Sequence, residues 1–146
     1  IARFEGRKVA ICQNARRGRA ALDDEGFVLK DTFVCVRPRE GVSDAPGWLE
    51  WLVLVVNSEL FHYLYEHLYG GTRKGGGFLH YLGGYLNPFP LAPPDDLSAV
   101  REIHDRLRAR PDDEEANATA ERMVRRAYGI TSRENATLRA YRFPDP

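Results

Sequence analysis

A chain of 146 residues with a formal net charge of +0 and 43% hydrophobic residues has the size of one domain and enough apolar content for a core. Zero net charge argues against a protein that coats nucleic acid through a bulk positive field, so the placement of charges matters more than their sum. Two cysteines are too few for a disulfide framework, and the longest apolar run, Trp48 to Val56, stops well short of the roughly 20 residues of a membrane span. These features give the expectation of a soluble, cytoplasmic protein with reduced, buried thiols at Cys12 and Cys35. Ile1 opens without a charged-then-apolar leader, which reads as a piece cut from a longer protein.

In chain order, Arg3, Arg7, Lys8, Arg16, Arg17 and Arg19 face only Glu5 in the first nineteen residues, which predicts a basic face. Lys8 to Cys12 is a short apolar run; Phe27 to Leu29 and Thr32 to Val36 are rich in β-branched and aromatic residues bounded by Asp, Gly and Pro. All three read as strands of a small mixed or antiparallel sheet. Arg16-Arg17-Gly18-Arg19 and Asp23 to Gly26 then fall in exposed loops. From Ser43-Asp44-Ala45-Pro46 a helix is expected, with Leu49, Leu52, Val53, Val56, Leu60, Leu64 and Leu68 at helical spacing up to Gly70-Gly71. Trp51, Leu54, Val55, Phe61 and Tyr65 make its other faces apolar, so this one long helix is expected to lie deep, against the sheet and a further partner.

The segment Gly70 to Gly77 holds too much glycine for a regular element and carries Arg73 and Lys74 at its centre. After the aromatic stretch Phe78 to Leu86, four prolines between Pro88 and Pro94 force an extended exit. Residues 1–94 thus form a sheet-plus-helix part and residues 95–146 a helical part of a single α+β domain. Asp95-Asp96 cap a helix carrying Leu97, Val100, Ile103 and Leu107 that stops at Pro111. A second begins near Asp112-Asp113 and closes at Gly129, and Thr131 to Glu134 is a capping box that opens a third.

Candidate chemistry is sparse. His62, His67, His80 and His104 lie on separate elements, with neither metal-ligand spacing nor a nucleophile partner, so no metal is expected and His62 reads as a packed histidine. The glycine segment lacks the G-x-x-x-x-G-K-[ST] and G-x-G-x-x-G spacings of nucleotide sites; Arg73 and Lys74 fit a phosphate backbone better. Asn87-Pro88-Phe89-Pro90 differs from the Asn-Pro-Pro-aromatic motif of adenine methyltransferases at the second proline, and no glycine-rich cofactor strand precedes it. It is therefore not a catalytic motif, and the two Asn-Ala-Thr sequons fall in helical segments and carry no weight.

The order of features is informative. Asp31 to Val36, a long apolar helix ending in Asn57-Ser58-Glu59-Leu60-Phe61, a Gly-Gly loop with aromatics, Pro88-Phe89-Pro90, and Val124 to Glu134 around Tyr128-Gly129-Ile130-Thr131 together resemble the TaqI-like C-terminal specificity domain. That domain follows the catalytic region in many adenine-specific DNA methyltransferases and fused restriction enzymes, including members of phage-defence systems. The resemblance spans nearly the whole chain. It implies a non-catalytic module that binds double-stranded DNA, reads base edges and positions the duplex for the methyltransferase catalytic domain. S-adenosylmethionine is then a cofactor of the parent protein and not of this fragment. Asn57-Ser58 and Pro88 to Pro90 look like scaffold in the family, whose reading residues vary between members. Chemistry nominates those: Arg16, Arg17 and Arg19 first, because guanidinium matches guanine O6 and N7 or grips phosphate, with Arg73 and Lys74 second. The competing expectation is a scaffolding domain that docks the methyltransferase to another subunit. A nucleotide-binding enzyme fragment is the weakest reading.

Overall fold

The computed structural model describes residues 5–39, 46–72 and 75–143. It is an α+β fold in which two small antiparallel sheets pack on a helical body. β1 (Lys8–Cys12) lies at the centre of a three-stranded sheet, flanked by β3 (Ala20–Asp23) and β4 (Phe33–Val36). Register pairs Val9 with Leu22 and Val36, and Ile11 with Ala20 and Val34. Val9 and Ile11 are buried; alternation of side chains along a strand puts both on the face that carries the core. A second, two-stranded sheet joins β2 (Asn14–Ala15) to β5 (Leu79–His80).

The expected strand at Phe27 to Leu29 does not form. These residues take no regular structure, and Phe27 and Val28 are 60% and 68% exposed. Strand propensity mainly reflects fit to a half-buried pleated surface, and here the adjoining segment is bent instead. Asp23 accepts hydrogen bonds from the amides of Glu25 and Gly26, and Gly26 has a positive φ of 78°. The slot opposite β1 goes to Ala20–Asp23, which follows the arginine loop directly.

The apolar run from Trp48 is helical but forms two helices, α1 (Trp48–Val56) and α2 (Glu59–Tyr69), where one long helix was expected. Ser58 causes the break. Its backbone is extended, its hydroxyl accepts from the amide of Phe61 at 3.1 Å and donates to the carbonyl of Val55 at 2.7 Å. A side chain that offers the backbone an alternative partner at this position starts a new helix. The second layer over α1 belongs to this chain: α4 (Leu97–Ala109) and α5 (Glu114–Ala127) pack on it, burying Val100, Ile103, Ala116, Ala120 and Val124. One core runs from Val9 to Leu138 of α6 (Ser132–Ala140). The caps of these three helices are Asp96, Asp113 and the Thr131–Glu134 box. The proline-rich exit, preceded by the short α3 (Gly83–Leu86), is pinned by Trp51 Nε1 donating to Ala92 O and Tyr128 Oη to Pro90 O.

The predicted basic face is smaller than the sequence suggests, because two of its cations turn inward. Lys8 is 1% exposed and sits 2.5 Å from Asp23, its register partner. Burial alone would push Asp23 up; the Lys8 hydrogen bond and charge and the two turn amides outweigh it and hold the carboxyl below the ordinary carboxylate range. Arg7 bridges Asp24 at 2.8 Å and the buried Glu50 at 2.7 Å, and Arg108 of α4 completes the cluster on Asp24. Arg7 hydrogen bonding, opposed by burial and aided by Arg108, lowers Asp24. Glu50, which burial alone would raise, is likewise held low by Arg7. The acidic helix starts are also partnered: Asp95 meets Arg126 at 2.7 Å, and Asp113 meets Arg106 and Arg110 at 3.0 Å. Both cysteines are free thiols, and both are half-buried where full burial was expected. Among the described residues no helix is long and apolar enough to cross a membrane.

Candidate nucleic-acid interface

Residues 13 to 20 form a turn fixed at both ends, and this is what sets Arg16, Arg17 and Arg19. On the entry side Gln13 accepts from the amide of Tyr81 at 2.8 Å, and Ala15 pairs with Leu79. On the exit side the Asn57 side chain imitates a strand. Its Oδ1 accepts from Ala20 N at 2.7 Å and its Nδ2 donates to Ala20 O at 3.0 Å. Between them Gly18 lies buried against the α1–α2 junction. A Cβ there would stand 2.2 Å from the carbonyl oxygen of Val56 and 2.9 Å from the Phe61 ring, so only glycine lets the backbone come so close. The helix break at Asn57-Ser58 therefore serves the turn: one residue clamps β3 and the next restarts the helix.

The three guanidiniums leave this turn in different directions. Arg16 lies over the Phe78 ring, 5.6 Å from its centroid, beside the short 3-10 turn Gly75–Gly77. Arg17 lies over Phe143, 5.2 Å from its centroid, on the segment that follows α6. Arg19 is exposed. Among the described residues no carboxylate forms an ion pair with any of the three. Burial pushes the nearby Glu121 carboxyl up, opposed by the Glu59 amide that donates to its Oε1 and, more weakly, by the charges of Arg125 and Arg17. A guanidinium over an exposed ring gains about 0.5–1 kcal/mol. That is enough to bias its direction and too little to compete with a charge-assisted bond to phosphate, worth about 1.5–3 kcal/mol.

Beneath the turn lies a rigid aromatic floor. Tyr65 and Tyr81 are fully buried with ring centroids 4.6 Å apart, and Phe61 stacks on both. Tyr65 Oη donates to His80 O at 2.8 Å; burial drives the Tyr65 phenol up to about 12 and pushes Tyr81 up as well, against the opposing charge of Arg17. These phenols stay protonated and serve as scaffold. His62 is the packed histidine expected, 1% exposed and set against the rings of Tyr141 and Phe143.

Arg73 and Lys74 lie outside the described residues. Their flanks are described: Gly75–Gly77 is exposed, and positive φ of 82° and 81° at Gly76 and Gly77 suits glycine alone. The segment leads directly into Phe78 under Arg16. Arg142, exposed and next in sequence to the Phe143 that lies under Arg17, is a further cation that the sequence did not single out. Nothing local could have flagged it, since the meeting of Phe143 with Arg17 depends on how the segment after α6 docks. Set against protein-family models and curated proteins, the chain matches none.

Proposed function

We propose that this chain is a DNA target-recognition module of an adenine-specific DNA methyltransferase or fused restriction–modification enzyme, contributing duplex binding and no catalysis of its own. The observation that carries the reading is the clamped turn with three arginines, none in an ion pair with a described carboxylate, while Arg7 and Lys8 are consumed internally and Arg3 lies outside the described residues. Selective sparing of charge on one rigid element is what a polyanion-binding surface needs, and it reconciles zero net charge with nucleic-acid binding.

In this reading the turn meets the duplex edge-on. Arg16 and Arg17 grip phosphates from either side, and Arg19, which has no ring beneath it among the described residues, addresses a guanine edge. Arg73 and Lys74 supply further phosphate contacts. The methyltransferase catalytic domain is the partner that this module serves, with S-adenosylmethionine bound there.

The test is duplex binding by the parent protein across a salt series, with Arg16, Arg17 and Arg19 each changed to Ala. Loss of affinity with a shallower salt slope for Arg16→Ala and Arg17→Ala, and altered site preference for Arg19→Ala, supports the reading. Unchanged affinity, slope and preference in all three sinks it and favours a domain that docks the enzyme to another subunit. Arg73→Ala with Lys74→Ala is expected to weaken binding to all sequences alike; a loss confined to one base position contradicts a phosphate role.

A further inference from the structure

The three-stranded sheet has two edges, and hydrogen-bond parity tells which backbone groups face outward on each. Cys12 N donates to Arg19 O on the β3 side, while Gln13 N donates to Thr32 O on the β4 side. Antiparallel alternation then directs Thr32, Val34 and Val36 toward β1, and Phe33, Cys35 and Arg37 away from it. On β3 the same rule turns Ala20 and Leu22 outward, and Asn57 satisfies both groups of Ala20. On β4 the Phe33 amide turns back to Lys30 O at 3.1 Å, and among the described residues no backbone bond reaches the outward groups of Cys35. Pro38 falls on the inward parity, so its missing amide removes nothing from this edge.

Edge strands are normally blunted by charge, proline or a bulge. β4 reads Phe-Val-Cys-Val and carries no such device within the strand. Charges flank it at both ends: Lys30 and Asp31 precede it and Arg37 and Arg39 follow, all exposed, and none has an ion pair among the described residues. In an antiparallel copy paired about Cys35, the acid Asp31 stands opposite the base Arg39.

We propose that β4 pairs antiparallel with β4 of a second copy of this chain, about a two-fold axis through Cys35, joining the two three-stranded sheets into one. Outward residues meet outward residues in this register: Cys35 faces the second copy's Cys35, Phe33 faces its Arg37, and Asp31 stands opposite its Arg39. Each copy supplies both halves of every contact, as a two-fold interface requires. The inward-parity residues Val34 and Val36 face each other across the junction on the helix side. There they line, with Cys35, Arg37, Leu86, Phe89 and Leu91, an open cavity of about 390 Å³. Phe33 and Leu91, 41% and 39% exposed, lose water in the process.

The register is tested with the whole chain. Sedimentation is expected to show a concentration-dependent dimer. In a Cys12→Ser background, copper–phenanthroline oxidation is expected to trap it through Cys35, because directly opposed residues of a hydrogen-bonded pair lie about 5.5 Å apart, within disulfide reach. Asp31→Arg and Arg39→Asp each weaken the dimer by about tenfold or more through like-charge contacts, and the double variant recovers it. Both variants sit outside the core, and circular dichroism verifies that each is folded. A monomer at all concentrations, a dimer that Cys35 does not trap, or a double swap without recovery overturns the proposal. Capture of an unrelated extended peptide by β4 in place of a second copy does so too.

Discussion

The β3 and β4 edges of one small sheet are treated in opposite ways. At β3 the side chains close most of what faces outward: Asn57 pairs Ala20, Lys8 neutralises Asp23, and Arg7 and Arg108 neutralise Asp24, leaving Leu22 as the outward residue without a backbone partner among the described residues. The turn that enters this edge is therefore rigid, and its arginines are the part left over. At β4 the side chains within the strand are apolar and the backbone itself is left over. In the proposed reading the edge closed by side chains offers charge to a polyanion, and the edge left open offers a ladder to another strand.

The largest way to break this contrast is at the buried pair. Lys8→Met leaves Asp23 without its cation and is expected to cost about 3–5 kcal/mol in denaturant unfolding; a loss near zero would mean that water reaches the pair. Acid acts on the same edge. Asp23, Asp24 and Glu50 are all held below the ordinary carboxylate range, so the unfolded chain takes up their protons first. Their contribution is full above about pH 5 and is lost as pH falls through about 4 toward the depressed values. Thermal melts from pH 6 to pH 3 should show this slope, reduced in Asp24→Asn.

Gly18→Ala comes next. Its Cβ meets a backbone oxygen at 2.2 Å, so the turn must shift, at about 2–3 kcal/mol, and duplex affinity should fall with it. Asn57→Ala opens the β3 edge for about 1–2 kcal/mol, and hydrogen exchange at Ala20 should accelerate while that at Val9 does not. The smallest effect belongs to the other edge: Cys35→Thr is expected to move monomer stability by less than about 0.5 kcal/mol, since no backbone bond among the described residues reaches that edge.

How much of this was readable in advance varies by element. The three C-terminal helices were, since Asp96, Asp113 and Thr131 cap amides only two or three residues away. The break between α1 and α2 had a signal, Ser58 followed by Glu59, but it was masked by an apolar period that continues unbroken from Leu49 to Leu68. Phe27 to Leu29 misled because β-branched and aromatic content does not say whether a neighbouring strand has room. Of the candidate interface, the arginine turn was legible as a loop of cations, while its clamping by Asn57 and Gly18 was not.

By itself the sequence determined the α+β class, strands at Lys8 to Cys12 and, to within one residue, at Thr32 to Val36, the helical C-terminal third and the location of the arginine turn, because periodicity and caps act within a few residues. The tertiary structure alone decided which cations remain available. Arg7 meets Glu50 across 43 residues and Arg108 meets Asp24 across 84, and the pairing of charges so far apart along the chain is set only when the core brings their elements together.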